Sequence, residues 1–153
     1  MNKSLEIVIA FRRILLTEIE ELSVEKLNQI PAPFSNNIIW NLAHMNAVLQ
    51  ALCYRASNVP MRIEESDFLP YLPGTKPERD LDAAEIERIK KQFIELPQLL
   101  AEDIEKGIFV TYQMPARVEK RYGIKIENIQ DAVTYTAYHD STHLSAVKML
   151  KRM

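Results

Sequence analysis

Apolar residues recur three and four positions apart through four long stretches of the chain, the spacing that gathers one face of an α-helix. From about Ser4 to Leu22 that face is Leu5, Val8, Phe11, Leu15, Ile19 and Leu22, with Arg12, Arg13, Glu18 and Glu20 off it. Ser23, followed by Val24, Glu25 and Lys26, predicts a short extra turn before Pro31 and Pro33 punctuate the link. A second helix is predicted from Ser35 or Asn36, both good caps, to about Ser57, just before Asn58 and Pro60. Its apolar arc is wide. Ile38, Leu42, Met45, Leu49 and Leu52 form one stripe, and Ala43, Ala47, Val48 and Ala51 carry it round the cylinder, so most of this helix is expected to be buried. His44 lies within the arc.

Residues 58 to 79 hold Pro60, Pro70, Pro73 and Pro77 plus Gly74, which predicts a long irregular crossover rather than a domain linker. Loops of that length often edge a site. A third helix is predicted from Asp80 or Asp82 to Lys106, with Ile86, Ile89, Phe93, Leu96, Leu100 and Ile104 on one face and Gly107 as its terminator. Pro97 is expected to kink or split it. The β-branched and aromatic residues of 108 to 124 suggest an extended excursion or short hairpin around Pro115. A fourth helix follows from about Glu127 to Lys151, with the stripe Ile129, Ala132, Thr136, His139, His143, Ala146 and Leu150.

Four helices and no regular turn spacing predict an all-α protein. The chain has only three glycines in 153 residues, which leaves the frequent turns of a sandwich or barrel without a source, and its 47% hydrophobic content supports a single domain over 1–153. With 19 basic and 21 acidic residues intermingled and a net charge of −2, nothing points to nucleic acid as a partner. No apolar run approaches the roughly 20 residues that span a bilayer, so no membrane association is expected. The lone Cys53 cannot form an internal disulfide, and the N-terminus MNKSLEIVIAFRR lacks a long apolar core with a cleavage site, which predicts a cytoplasmic protein.

The candidate chemistry lies in the histidines. His139 and His143 are four residues apart, roughly 40° in projection, so both rings can reach one ion from a single helix turn. Alone, a core histidine is commonly satisfied by a carbonyl or carboxylate, and a His-x-x-x-His pair arises easily by chance. Here the remaining histidine, His44, also sits in a predicted core arc. Burying three unsatisfied imidazoles costs on the order of 1 to 3 kcal/mol each, and a shared cation relieves that cost. Three neutral imidazoles suit zinc, nickel or iron(II) and leave at least one coordination position open.

Spacing excludes several other metal architectures. Carboxylate-bridged di-iron bundles need Glu-x-x-His, but the residues three before His44, His139 and His143 are Asn41, Thr136 and Asp140. Asp140 lies about 100° round the helix from His139, which disfavours a two-histidine, one-carboxylate triad and leaves it beside the ligands or solvated. Cys53, nine residues after His44, should face away as core filler. Trp40, one turn before His44, can wall a pocket or anchor the core. Asn37 and Asn41 near His44, and Tyr135 and Thr136 near His139, can orient ligands, or else cap and pack.

The segments WNLAHMNAV around His44 and YGIKIENIQDAVTYTAYHDSTHLSAV around the pair, separated by about 95 residues, resemble the DinB-like metal-binding four-helix bundles, which include the bacillithiol and mycothiol S-transferases. The resemblance covers nearly the whole chain. It implies an up-down-down-up four-helix bundle with a long crossover between helices 2 and 3, corresponding to 58–79. It also implies a metal site built from His44 on the second helix and His139 and His143 on the fourth. Thr142 stands where many members carry a histidine, and Leu144, Ser145 and Ala146 replace their Arg-Gly-Gln. The activity so implied is a metal-dependent transferase, with a hydrolase as the lesser option, in which the ion activates a small-molecule thiol or water against an electrophile entering past the 58–79 loop. The rival expectation is a non-catalytic, structural or stress-related metal-binding bundle, dimeric through exposed helix faces.

Overall fold

A computed structural model describes residues 2–113 and 116–153. Among the described residues every regular element is helical and there is no strand. Helix α1 (Lys3–Ile19) starts at Asn2, whose side chain accepts from the Ser4 N–H. The short α2 (Val24–Asn28) starts at Ser23 in the same manner, with Lys26 as donor. Helix α3 (Ile38–Leu49) is capped by Asn37, which accepts from Trp40 N–H, and continues as a π turn over Gln50–Tyr54 and a 3-10 turn over Arg55–Ser57. All twelve residues of α3 are buried, as its wide apolar arc predicts. Asn58, at φ 55°, ends the run in the left-handed region that asparagine tolerates.

The crossover is irregular apart from α4 (Glu65–Phe68) and a 3-10 turn at Leu69–Tyr71. Helix α5 (Ala83–Glu105) opens with a reciprocal capping box between Asp82 and Glu85, and Gly107 at φ 70° follows its end. Helix α6 (Ala116–Tyr122) occupies part of the segment for which an extended excursion or hairpin is predicted, while Pro115 itself lies outside the described residues. Helix α7 (Ile129–Arg152) is capped by Asn128, which accepts from the N–H groups of Gln130 and Asp131. Among the described residues no helix is long and apolar enough to cross a membrane.

Four long helices carry the packing: α1 lies against α5 and α7, and α3 lies against the same two. Side chains of these helices, with Tyr54 of the π turn and Phe68 of α4, form two apolar clusters, one including Leu5, Tyr54, Phe68, Leu100 and Val133, the other Leu15, Ile19, Leu42, Phe93 and Leu150. Where one cluster gives way to the other, the core holds polar residues instead: Arg12, Asn46 and Asp140.

Arg12 corrects the sequence reading of α1. It is 1% exposed, whereas Phe11, assigned to the apolar face, is 46% exposed. The reason is a set of acceptors that meets four of its five N–H donors. Arg12 Nε donates to Asp140 Oδ2 at 2.7 Å, Nη1 to Asn46 Oδ1 at 2.9 Å and to the Phe93 carbonyl at 3.2 Å, and Nη2 to the Met45 carbonyl at 3.1 Å. Its guanidinium also sits 4.5 Å from the Phe93 ring centre. The Phe93 carbonyl is available because Pro97, four residues on, has no N–H to donate. Pro97 does not split α5, and the acceptor it orphans is used by Arg12.

Candidate metal centre

The crossing of α3 and α7 brings the three histidines together. His44, His139 and His143 each offer a ring nitrogen, and these atoms all lie within 4.8 Å of one another. The Nε2 atoms of His44 and His139 are 3.2 Å apart. Tetrahedral bonds of about 2.1 Å place ligand nitrogens roughly 3.4 Å apart, so this pair already stands at ligand spacing.

The outer nitrogens determine which lone pairs face inward. His44 Nδ1 is 2.7 Å from the Tyr71 carbonyl, which can only accept, so Nδ1 carries the proton and Nε2 is a lone pair. His143 Nδ1 is 2.7 Å from Asn41 Oδ1. The Asn41 amide nitrogen is committed to the Asn37 carbonyl at 2.7 Å and Asn36 Oδ1 at 3.1 Å, so its oxygen must be the group facing His143. His143 Nδ1 is therefore the donor and its Nε2 the free acceptor. Burial, followed by the neighbouring His139 and His44, pushes the His143 pKa down to about 3. Burial likewise lowers His44 to about 4 against the raising effect of the Tyr71 carbonyl, with His139 and Arg117 adding to the fall. Both rings are neutral at physiological pH, the form a metal requires.

His139 completes the fit. Its Nδ1 is buried without a hydrogen-bond partner, and so is Asp140 Oδ1, 3.8 Å away. Two orphaned complementary atoms at that distance are one small ring rotation from a bond, which would leave the His139 Nε2 lone pair pointing inward like the others. Asp140 is buried and ionised: desolvation works to raise its pKa, but Arg12, with help from His139, holds it below the ordinary value. It is thus not solvated, and it turns away from the site toward Arg12.

Trp40 stacks on His44 with ring centres 4.7 Å apart and planes 10° off parallel, walling the site on one side. Tyr135 lines a cavity of about 530 Å³ that opens from His44, His139 and His143 and is rimmed by Leu72, Pro73 and Gly74 of the crossover. Thr136 is buried and donates to the Ala132 carbonyl of its own helix, so it packs rather than facing the cavity. Cys53 is fully buried and away from the cavity wall. A slightly larger cleft of about 600 Å³ between α1 and α5 contains no histidine, and lysines and glutamates on its wall pair with each other.

Sequence reasoning missed the Tyr71 carbonyl, Arg12, and two arginines on the cavity wall, Arg117 and Arg121. A backbone acceptor leaves no trace in residue type. Arg12 did leave one: Leu5, Val8, Arg12, Leu15 and Ile19 alternate three and four apart more regularly than a face through Phe11.

No curated protein matches the chain. Residues 9–147 match the DinB superfamily, a span that reaches from α1 into α7 and includes all three histidines. The chain therefore belongs to the DinB superfamily.

Proposed function

We propose that His44, His139 and His143 hold one divalent ion, zinc, nickel or iron(II), in a transferase that joins a small-molecule thiol to a small electrophile, with water as the lesser nucleophile. The observation that carries this reading is the inward set of Nε2 atoms, with Tyr71 and Asn41 holding the outer nitrogens of two rings. A divalent ion so held supplies Lewis acidity that brings the pKa of a thiol or water toward neutrality. The chain does the rest. Asn41 and the Tyr71 carbonyl fix ring tautomers, Asp140 faces the outer nitrogen of His139, and Trp40 blocks the His44 side. The cavity leaves one side accessible, edged by Leu72, Pro73 and Gly74 of the crossover.

The reading takes residues 1–153 as one cytoplasmic domain, an up-down-down-up bundle with neither nucleic acid nor membrane as partner. The core supports that topology: α1 and α7 run from the Leu5 and Val133 cluster to the Leu15 and Leu150 cluster, and α3 and α5 run the other way. Parallel α3 and α5 need a long connection, which 58–79 provides.

The test is thiol consumption by protein loaded with zinc, nickel or iron(II), across a panel of thiols, alkylating electrophiles and hydrolysable esters. Turnover that requires metal and disappears in His143→Ala supports the proposal, and absence of turnover across the panel removes it. A second reading, a non-catalytic dimer, draws on Ile7, Phe11 and Ile14 of α1 and Tyr138 and Met149 of α7, which are all more than two-fifths exposed. Light scattering separates a dimer from a monomer.

A further inference from the structure

Arg117 and Arg121 stand one turn apart on α6, so their side chains share a helix face. Both line the histidine cavity, and among the described residues no carboxylate does. Three other arginines meet acids: Arg12 meets Asp140, Arg62 meets Asp103, and Arg88 meets Asp67. Arg117 and Arg121 have no carboxylate within 4.0 Å among the described residues.

Their setting is partly fixed. The Arg121 guanidinium lies 5.3 Å from the Tyr122 ring centre, and Tyr122 packs on Tyr135 at 5.9 Å, tying α6 to α7 beside the histidines. Arg117 lines the same cavity wall as His44. Two unpaired cations on one wall repel each other and any cation at the histidines. An anionic group between them relieves both repulsions, and guanidinium forks match carboxylate and phosphate oxygens in pairs.

We propose that Arg117 and Arg121 clamp an anionic group, carboxylate or phosphate, of the small molecule that enters the histidine cavity. The inference rests on the cavity being the substrate's entrance, as in the function proposed above, but not on the nature of the nucleophile.

Trp40, the only tryptophan, stacks on His44 and reports on the cavity by fluorescence. The first experiment titrates metal-free, full-length protein with succinate and, separately, with inorganic phosphate. Binding of either is expected, weakened about tenfold or more in R117Q/R121Q, a loss of roughly 1.4 kcal/mol. Binding of one anion alone tells which oxygen group the clamp prefers. If wild type binds neither, or the variant binds both as well as wild type does, the clamp is wrong.

The second experiment loads the protein with cobalt(II) and compares 3-mercaptopropionate, 2-mercaptoethanol and cysteamine, thiols of similar reach that are negative, neutral and positive. Thiolate-to-cobalt absorption is expected to give affinities in that order, with the order flattened in R117Q/R121Q. If no thiol perturbs the cobalt while metal-free protein still binds succinate, the thiol reading falls and the clamp stands. If all three bind alike in wild type and variant, the clamp falls and the thiol reading stands. Both arginines are exposed, so unchanged melting of the variant separates lost binding from lost fold.

Discussion

Arg12 and Asp140 meet through a 2.7 Å bond from Nε to Oδ2, with side-chain exposures of 1% and 6%, joining the first long helix to the last. Asp140 is next in sequence to His139 and its other oxygen is the orphan facing that ring. The ion pair therefore has two jobs: it closes the polar layer between the apolar clusters, and it positions a carboxylate behind a candidate ligand.

Breaking such a pair leaves one buried charge uncompensated, which costs about 3 to 5 kcal/mol. Arg12→Met and Asp140→Leu are each expected to lose that much in urea unfolding. The double variant is expected to recover part of it, because neither charge is then stranded. Losses that simply add would show that the two side chains act independently.

Asn41 holds the His143 tautomer through its side-chain oxygen. Asn41→Leu removes that acceptor and is expected to weaken metal binding about 10- to 100-fold in competition with a chromogenic chelator. Asn41→Asp keeps the acceptor toward His143 but loses the donor to the Asn37 carbonyl and Asn36 Oδ1, so it is expected to melt lower than wild type yet to bind metal better than Asn41→Leu does. Equal loss in both variants would assign Asn41 to packing alone.

Asp103 is buried beneath the Tyr54 hydroxyl at 2.8 Å and the Arg62 guanidinium at 2.7 Å. Burial pushes its pKa up, but Arg62 and Tyr54 outweigh it and hold the carboxyl below its ordinary value of 3.8. A carboxyl with a depressed folded pKa stabilises above the unfolded value, and that stability is lost as pH falls through the folded one. The melting-temperature gap between wild type and Asp103→Asn is thus expected to be widest near neutrality and to narrow below about pH 4. A gap independent of pH would contradict the assignment.

Phe11 is solvent-facing while Leu15 is sealed. Phe11→Ser is expected to change stability by under about 0.5 kcal/mol, against about 2 to 5 kcal/mol for Leu15→Ala. A large loss at Phe11 would place that ring in an interface, as the dimer reading requires.

Helix content, the start of α5 at Asp82 and the terminating role of Gly107 were legible in the sequence, because spacing and chain termination are local physics. So was the meeting of the three histidines, since each sat where an apolar residue would. The exact face was not. On α7 the buried residues are Ala132, Val133, Thr136, Asp140, Val147 and Leu150: the drawn stripe shares Ala132, Thr136 and Leu150, but Asp140 and Val147 are buried where it ran through His139 and Ala146. On α1 the buried line passes through Arg12. Both offsets have one cause: hydrophobic patterning assigns charged residues to the surface, and a buried ion pair between distant helices inverts that rule. Helix α6 was read as extended because its flanks are β-branched and aromatic, whereas ARVEKRY itself is rich in helix formers.

Zinc titration of untagged, metal-free protein, read by elemental mass spectrometry after buffer exchange, tests the central claim most directly. The account predicts one ion retained per chain, and loss of that ion in each of His44→Ala, His139→Ala and His143→Ala. Retention of no zinc by wild type, or of a full equivalent by all three variants, would contradict it.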